Sequence, residues 1–290
     1  LLRLNLGATS RNDICGVNVK TLVTHLGAAL LAIANPRWLT AQVHLVGVMP
    51  TVDVGMPVGE HWFIENYSFA CILPVEQTRP SLSNAAVMER YGPGVEPGEA
   101  RAIRSLVFAY TEFDITRRLN DRWSLTSSYT HEWVPSNSGV WGGEDRYVRD
   151  EHRLWLQSKY QSPQTLAMSW WWRMRWDQRW IENSPFGEKS WSVRPRLRQQ
   201  LGGVLKMGDG SLVVSSEVFL EAWDGAEATT PSDRFREAWT AFQYGASINE
   251  SVRWEAGPLV VSWKQLDETG SLGWTHFWYL QATAFVKILR

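Results

Sequence analysis

The chain has 290 residues, 29 lysines and arginines against 30 aspartates and glutamates, and 44% hydrophobic residues. This composition excludes a disordered chain, and it shows neither the basic footprint of a nucleic-acid-binding protein nor a strongly acidic tail. The two cysteines, Cys15 and Cys71, cannot form a disulfide framework and indicate no metal cluster. Signature motifs for phosphate binding, zinc proteases and α/β-hydrolases are absent, so the sequence predicts no cofactor and no metal site.

Near the N-terminus there is one continuous apolar run, Leu26 to Ala34, which follows Lys20 and precedes Leu39-Thr40-Ala41. The run is too short to span a membrane as a helix but has the length of a secretory-signal core. We therefore expect residues 1–41 to be a leader that is cleaved near Ala41. The alternative is a buried helix at the head of the domain. Because the chain starts with Leu and its first 16 residues resemble no signal, the start is expected to be misplaced or the chain a fragment.

Residues 42–60 are expected to be a periplasmic lead-in to the first strand. That strand is predicted at 61–73, HWFIENYSFACIL, because no other upstream stretch has suitable length and β-character. The segment 74–104 is rich in Pro, Gly, Ser and Glu and is predicted to be the longest external loop.

Strands of roughly ten to fifteen residues follow, at 105–115, 122–133, 151–161, 166–180, 190–206, 211–222, 235–248, 252–265 and 276–289. The clearest is 166–180, LAMSWWWRMRWDQRW. Alternate residues form an apolar face of Leu, Met and Trp and an opposite face with three arginines. Alternation alone does not separate a soluble sheet from a membrane barrel, in which the apolar face meets lipid and the ionic face lines the lumen.

The connections between these strands alternate in length. Tight turns with Asn, Asp, Gly or Pro (116–121, 162–165, 207–210 and 249–251) alternate with longer polar segments (134–150, 181–189, 223–234 and 266–275). Bacterial barrels have short periplasmic turns and longer extracellular loops. The sequence therefore predicts an all-β fold: an antiparallel up-and-down transmembrane β-barrel of about ten strands, within eight to twelve, in a Gram-negative outer membrane.

Tryptophan spacing supports the same interpretation. Trp123 and Trp133 lie ten residues apart on one face of a strand, and Trp170 and Trp180 repeat the interval. At about 3.3 Å per residue and a tilt near 40°, this interval covers about 25 Å of membrane normal, the height of an outer-membrane apolar band. The four rings are predicted to lie at the two membrane interfaces.

The predicted lumen face is ionic. Candidate lumen or ligand-contacting residues are Arg153, Arg173, Arg175, Asp177, Arg179, Arg194, Arg196, Arg198, Glu217 and Glu221. Arg196 and Arg198 are expected to fall near Glu221 and Glu217, because buried guanidinium groups require counter-ions. Two interpretations remain open. The charges form the polar core of a narrow, filled barrel, or they line a porin-like path or pocket for anions and acidic ligands.

Several motifs resemble a bacterial outer-membrane β-barrel family of unknown function. The chain has WRMRWDQRW at 172–180, RPRLR at 194–198, SEVF at 216–219 and DRFRE at 233–237. The family is similar in showing R-x-R-x-E-Q-R-F, a second R-x-R strand, N-E-x-F and F-x-x-N-R. Here Asp177 stands where Glu is usual and Ser216 where Asn is usual. The resemblance covers about residues 110–290; it implies a location and a fold, and no activity.

Two rival classes are retained. An outer-membrane lipid-modifying enzyme would need a His and a Ser in contact on the outer face, and His131 and Ser127 lie about 13 Å apart along one strand. A soluble, Trp-rich β-sandwich that binds carbohydrate is the other. The sequence thus favours a non-enzymatic barrel whose partners are outer-membrane lipid, lipopolysaccharide and the barrel-assembly machinery, without nucleic acid. It does not predict an oligomeric state.

Overall fold

The computed structural model describes residues 43–77, 100–137, 146–164, 167–182, 190–222, 234–266 and 272–288. The leader predicted at 1–41 lies outside these residues. Every element in the described part is a strand: β1 (Val43–Val58), β2 (Trp62–Gln77), β3 (Ala100–Arg118), β4 (Trp123–Asn137), β5 (Arg146–Gln161), β6 (Met168–Glu182), β7 (Trp191–Met207), β8 (Gly210–Glu221), β9 (Phe235–Ser247), β10 (Val252–Leu266) and β11 (Leu272–Lys287). Among the same residues, no helix is long and apolar enough to cross a membrane.

The strands close into a single barrel in chain order, with β1 beside β11. The all-β barrel prediction is confirmed, and its eleven strands fall within the expected range of eight to twelve. The strands of the described residues form one closed sheet, which excludes a β-sandwich for this part of the chain.

The strand count differs from the expected ten because residues 43–58, expected to be a lead-in, form β1. All neighbours pair antiparallel except β1 and β11, which pair in parallel from Val43 opposite Thr275 to Gly55 opposite Lys287. An odd number of up-and-down strands requires one parallel contact where the barrel closes. The start of β1 and the end of β11 therefore lie at opposite ends of the barrel.

The stagger of the strands follows from the register. Directly paired residues lead from Pro57 on β1 once around the barrel to Val43 on the same strand, through Phe63, Thr116, Thr126, Gln157, Arg175, Arg198, Phe219, Glu237, Trp263 and Thr275. A displacement of about 14 residues over 11 strands corresponds to a strand tilt of about 40–45°, the range of transmembrane barrels.

One end of the barrel carries the short connections, 59–61, 119–122, 162–167, 208–209 and 248–251, and the other end carries the long ones. At the short-turn end, Asn120 Oδ1 accepts hydrogen bonds from the backbone N–H groups of Arg122 and Trp123, each at 2.9 Å. Asn249 Oδ1 closes the β9–β10 turn in the same way. Gly208 has φ +59°, a conformation that favours glycine in a two-residue hairpin turn. Asparagine side chains and a glycine in the left-handed conformation thus stabilise three of the short turns at this end of the barrel.

Candidate functional site: the barrel lumen

Along most of each strand, successive side chains alternate between the lumen and the outer surface. In β6, Arg173, Arg175, Asp177 and Arg179 point inward, while Trp172, Met174 and Trp176 point outward. The ten predicted lumen residues all lie on the inner face. Nine of them line a cavity of about 1000 Å³, and Asp177 is fully buried beneath Arg196 and Arg198.

Towards the long-loop end, the arginines share buried carboxylates. Arg153 Nε donates to Glu151 Oε1 at 2.5 Å and its Nη2 bonds Glu132. Arg179 donates to Glu151 at 2.6 Å and to Glu221 at 2.8 Å. Glu151 is completely buried, and two guanidinium groups bind it. Because a buried charge without partners is costly, this sharing is what allows the acid to remain in the wall.

In the middle of the lumen the network continues from β6 to β9. Arg198 forms a bidentate pair with Glu217 at 2.8 and 3.0 Å, as the sequence predicted. Arg196 is in register with Glu221 but bonds Asp177 at 3.0 Å and Glu237 at 3.2 Å. The long arginine side chain reaches diagonally across neighbouring strands, so strand register alone does not determine which carboxylate it binds.

Glu112 on β3 is the central acceptor of this network. Its Oε2 accepts hydrogen bonds from Arg175 Nη1 at 3.1 Å, Trp155 Nε1 at 3.2 Å and Thr130 Oγ1 at 3.2 Å, and it also contacts the Tyr110 hydroxyl. Sequence reasoning missed this residue. The available signal was its parity on β3, where Glu112 shares a face with Tyr110 while Phe113 and Ile115 occupy the other.

Towards the long loops and at mid-height, the side of the lumen opposite the arginines is apolar. Side chains from β1–β3 and β9–β11 form a buried cluster that includes Met49, Phe69, Leu259 and Tyr279. The rings of Phe69 and Tyr110 stack at 4.7 Å between centroids. Where the two halves meet, Arg198 lies over the Phe219 ring at 4.5 Å and Arg175 over Trp155 at 3.5 Å. These cation–π contacts join the ionic wall to the aromatic core.

Near the short-turn end the arrangement changes. Arg173 bonds Glu217 at 2.9 Å on one side of the lumen. Asp53, Glu65 and Asp114 line the other side, and sequence reasoning did not single them out. Among the described residues, no group of three or more His, Cys, Asp or Glu could hold a metal ion.

On the outer surface, the four predicted interface tryptophans lie at the two ends of their strands. Trp123 contacts Tyr160 and Trp172 towards the short-turn end, and Trp170 contacts Tyr160 there. Trp133 packs on His131 towards the long-loop end, where Trp180 is in register with His152. The rings thus occupy two levels of the outer surface.

The outer histidines have specific partners. His131 Nε2 bonds Asp150 Oδ1 at 3.1 Å, and Ser127 is not its partner. His276 Nδ1 bonds Ser262 Oγ at 2.8 Å across β10 and β11. That cross-strand contact was not predicted, because it depends on the register of the final hairpin.

The fold and the site together define a closed β-barrel protein with charges inside and apolar side chains outside. Residues 103–265 match the family described as protein of unknown function (DUF2490), and the chain belongs to that family. No curated protein and no solved structure matches the chain.

Proposed function

We propose that the protein is an integral outer-membrane β-barrel of a Gram-negative bacterium whose charged lumen is a filled structural core. This proposal rests on where charged and apolar side chains lie. Glu151 and Asp177 are among the fully buried side chains, while large apolar side chains cover the outer surface. A soluble barrel would show the reverse arrangement.

The outer band contains exposed apolar residues of nine of the eleven strands, β1–β7, β9 and β11. Its exposed apolar residues include Val46, Val48, Val52, Ile64, Phe113, Ile115, Leu125, Leu154, Leu156, Met174, Trp176, Val193, Leu201, Phe242, Trp278 and Leu280. Soluble monomers rarely expose a contiguous apolar patch larger than a few hundred Å². A continuous band bordered by aromatic rings is what a bilayer requires.

The ends of the barrel support an orientation. Short turns of bacterial barrels lie in the periplasm and long loops outside the cell, so Gly208 would be periplasmic and the 138–145 connection external. In this orientation the band contacts outer-membrane lipid, and lipopolysaccharide contacts the external rim. Insertion would depend on the barrel-assembly machinery.

Ion pairing favours a filled lumen over an anion-selective path. Arg153, Arg173, Arg175, Arg179, Arg196 and Arg198 each bond at least one carboxylate. These acids cancel most of the positive field that a pore would need to attract anions. The paired charges and the aromatic side chains project into the lumen from opposite walls and line its cavity.

Folding in detergent tests the membrane assignment. We expect the purified chain to fold only in detergent or lipid and to give a band on a denaturing gel that shifts on heating. A folded, monodisperse monomer in buffer without detergent would contradict the proposal.

Conductance tests the filled lumen separately. In planar bilayers we expect no stable open-channel current from the inserted barrel. Steady current with anion preference, weakened when Arg173, Arg175 and Arg196 are neutralised, would instead support the pore.

A lipid-acyl hydrolase is the second candidate, and the Ser262–His276 contact favours it. An imidazole 2.8 Å from a serine hydroxyl can accept its proton as the oxygen attacks an ester carbonyl. The two residues are direct partners on the outward-facing side of β10 and β11, and both side chains are buried. This candidate requires a fluorophosphonate probe to label the folded protein at Ser262 and to leave S262A unlabelled.

A further inference from the structure

The short-turn half of the lumen contains three carboxyl groups on adjacent strands. Glu65 on β2 is directly opposite Asp114 on β3, and it is the diagonal neighbour of Asp53 on β1. Like charges placed directly opposite each other in a sheet destabilise it. Asp53 and Asp114 are 8% and 9% exposed, so water screens this repulsion poorly.

The ion pairs between β6 and β3 do not continue into the short-turn half of the lumen. Arg175 on β6 reaches across the lumen to Glu112 on β3. The next inward residues on these two strands towards the short turns are Arg173 and Asp114, which would form the equivalent pair. Arg173 bonds Glu217 on β8 instead. As a result, Asp114 Oδ1 is buried without a hydrogen-bond partner among the described residues.

The surrounding charges do not balance the acids. Arg173 is paired with Glu217 and shares it with Arg198. Lys159 is the remaining cation on the facing wall, and its Nζ lies 5.8 Å from the centre of the Trp171 ring. Arg253 on β10 lines a pocket with Asp53 and Glu65, but it is paired with Glu255 at 2.9 Å. The acids in this half of the lumen therefore outnumber the cations, which favours a positively charged ligand.

The walls add a second feature that suits a cation. Phe63, Tyr67 and Trp171 line the same cavity as the three acids. Aromatic faces attract ammonium and guanidinium groups, and the attraction is strongest where water is excluded. The donor geometry does not suit a metal ion, since no group of three or more His, Cys, Asp or Glu in the described part of the chain could hold one.

We propose that the short-turn half of the lumen binds a small organic cation with primary ammonium groups. One ammonium group donates to Asp114 Oδ1 and Glu65, and the carbon chain packs against Tyr67 and Phe63. An ammonium group has three donors and can bridge carboxylates that otherwise repel each other. The site opens to the lumen, and this proposal does not depend on whether the barrel conducts ions.

The test uses the full chain in detergent micelles and putrescine as the probe, with binding followed by calorimetry and by tryptophan fluorescence. Succinate, a dianion of the same length, is the opposite-charge control. We expect saturable putrescine binding and no succinate binding. Absence of putrescine binding at millimolar concentration, or preference for succinate, would overturn the proposal.

Four variants separate a binding site from a structural cluster. Asp114→Asn and Glu65→Gln should each weaken putrescine binding by about tenfold or more, while the same substitutions stabilise the barrel because they relieve repulsion. Lys159→Met should tighten putrescine binding because it removes the competing cation. Asp209→Asn, an equal charge change in the exposed β7–β8 turn, should leave binding unchanged.

The outcomes are distinguishable from those of the membrane proposal. If Asp114→Asn binds putrescine as tightly as the wild type, the cation site is wrong, whatever the barrel's location. If the chain folds as a monomer without detergent and still binds putrescine through Asp114, the membrane assignment fails and the cation site stands.

Discussion

Leu156→Arg is the sharpest test of whether lipid surrounds the barrel. Leu156 lies on the outer face of β5, 65% exposed, in register with Ser127 and Trp176. It is four residues from Tyr160 towards the short turns and four from His152 towards the long loops. Four residues at about 3.3 Å each, on a strand tilted by about 40°, correspond to about 10 Å along the barrel axis on either side. Leu156 thus lies near the middle of the apolar band.

The expected cost follows from that depth. An arginine on the lipid face of a barrel destabilises it by about 2–4 kcal/mol at the bilayer midplane and by about 0–1 kcal/mol near the interfaces. Leu119→Arg is the matched control, since Leu119 is 50% exposed in the β3–β4 turn, outside the band. In water both substitutions would change stability by only about 0.5 kcal/mol.

The assay is equilibrium unfolding in guanidinium chloride with the barrel in lipid vesicles, monitored by tryptophan fluorescence. We expect L156R to lower the free energy of unfolding by about 1–4 kcal/mol more than L119R does, which is the difference between the midplane cost of about 2–4 kcal/mol and the interfacial cost of about 0–1 kcal/mol. Equal effects of the two substitutions would refute the lipid-facing assignment.

Two other predictions concern the charged lumen and the parallel pairing of β1 with β11. Asp177→Ala leaves Arg196 and Arg198 without a shared partner, so it should lower the free energy of unfolding by about 3–5 kcal/mol. An effect below about 1 kcal/mol would contradict this, because it would show that the ion-pair network rearranges around the missing carboxylate. Cysteines at Val52 and Ala284, direct partners on β1 and β11, should form a disulfide on oxidation in a cysteine-free background and change the gel mobility of the unfolded chain. Failure to cross-link would contradict the parallel closure.

The sequence predicted most of the strands because each has strict alternation. The strand predicted at 166–180 is observed as Met168–Glu182, and that predicted at 190–206 as Trp191–Met207. β1 was missed because it contains Pro50 and Pro57, and proline usually argues against a paired strand. Its outer face, with Val46, Val48 and Val52, is nevertheless apolar.

The candidate site was predictable where partners belong to one hairpin. Arg198 and Glu217 are joined by the short β7–β8 turn, and counting back from that turn places them close together. Arg175 and Glu112 are 63 positions apart and lie on strands that do not pair. Their contact exists only because the barrel is narrow enough for a guanidinium to reach across it. No local pattern in the sequence specifies that distance.

The division of the lumen into an ionic and an apolar half accounts for how an odd-stranded barrel closes. The parallel β1–β11 pair is slightly less stable per residue than the antiparallel pairs. Behind it lies the aromatic and aliphatic cluster, in which Met49 and Tyr279 pack on the inner face of the two closing strands. Gly47 is directly opposite Tyr279, and a Cβ there would lie 2.8 Å from the ring, so the missing side chain lets the tyrosine cover β1. Apolar packing thus stabilises the closing pair, and the directional ion pairs lie mainly on β4–β9, where hairpins fix the register.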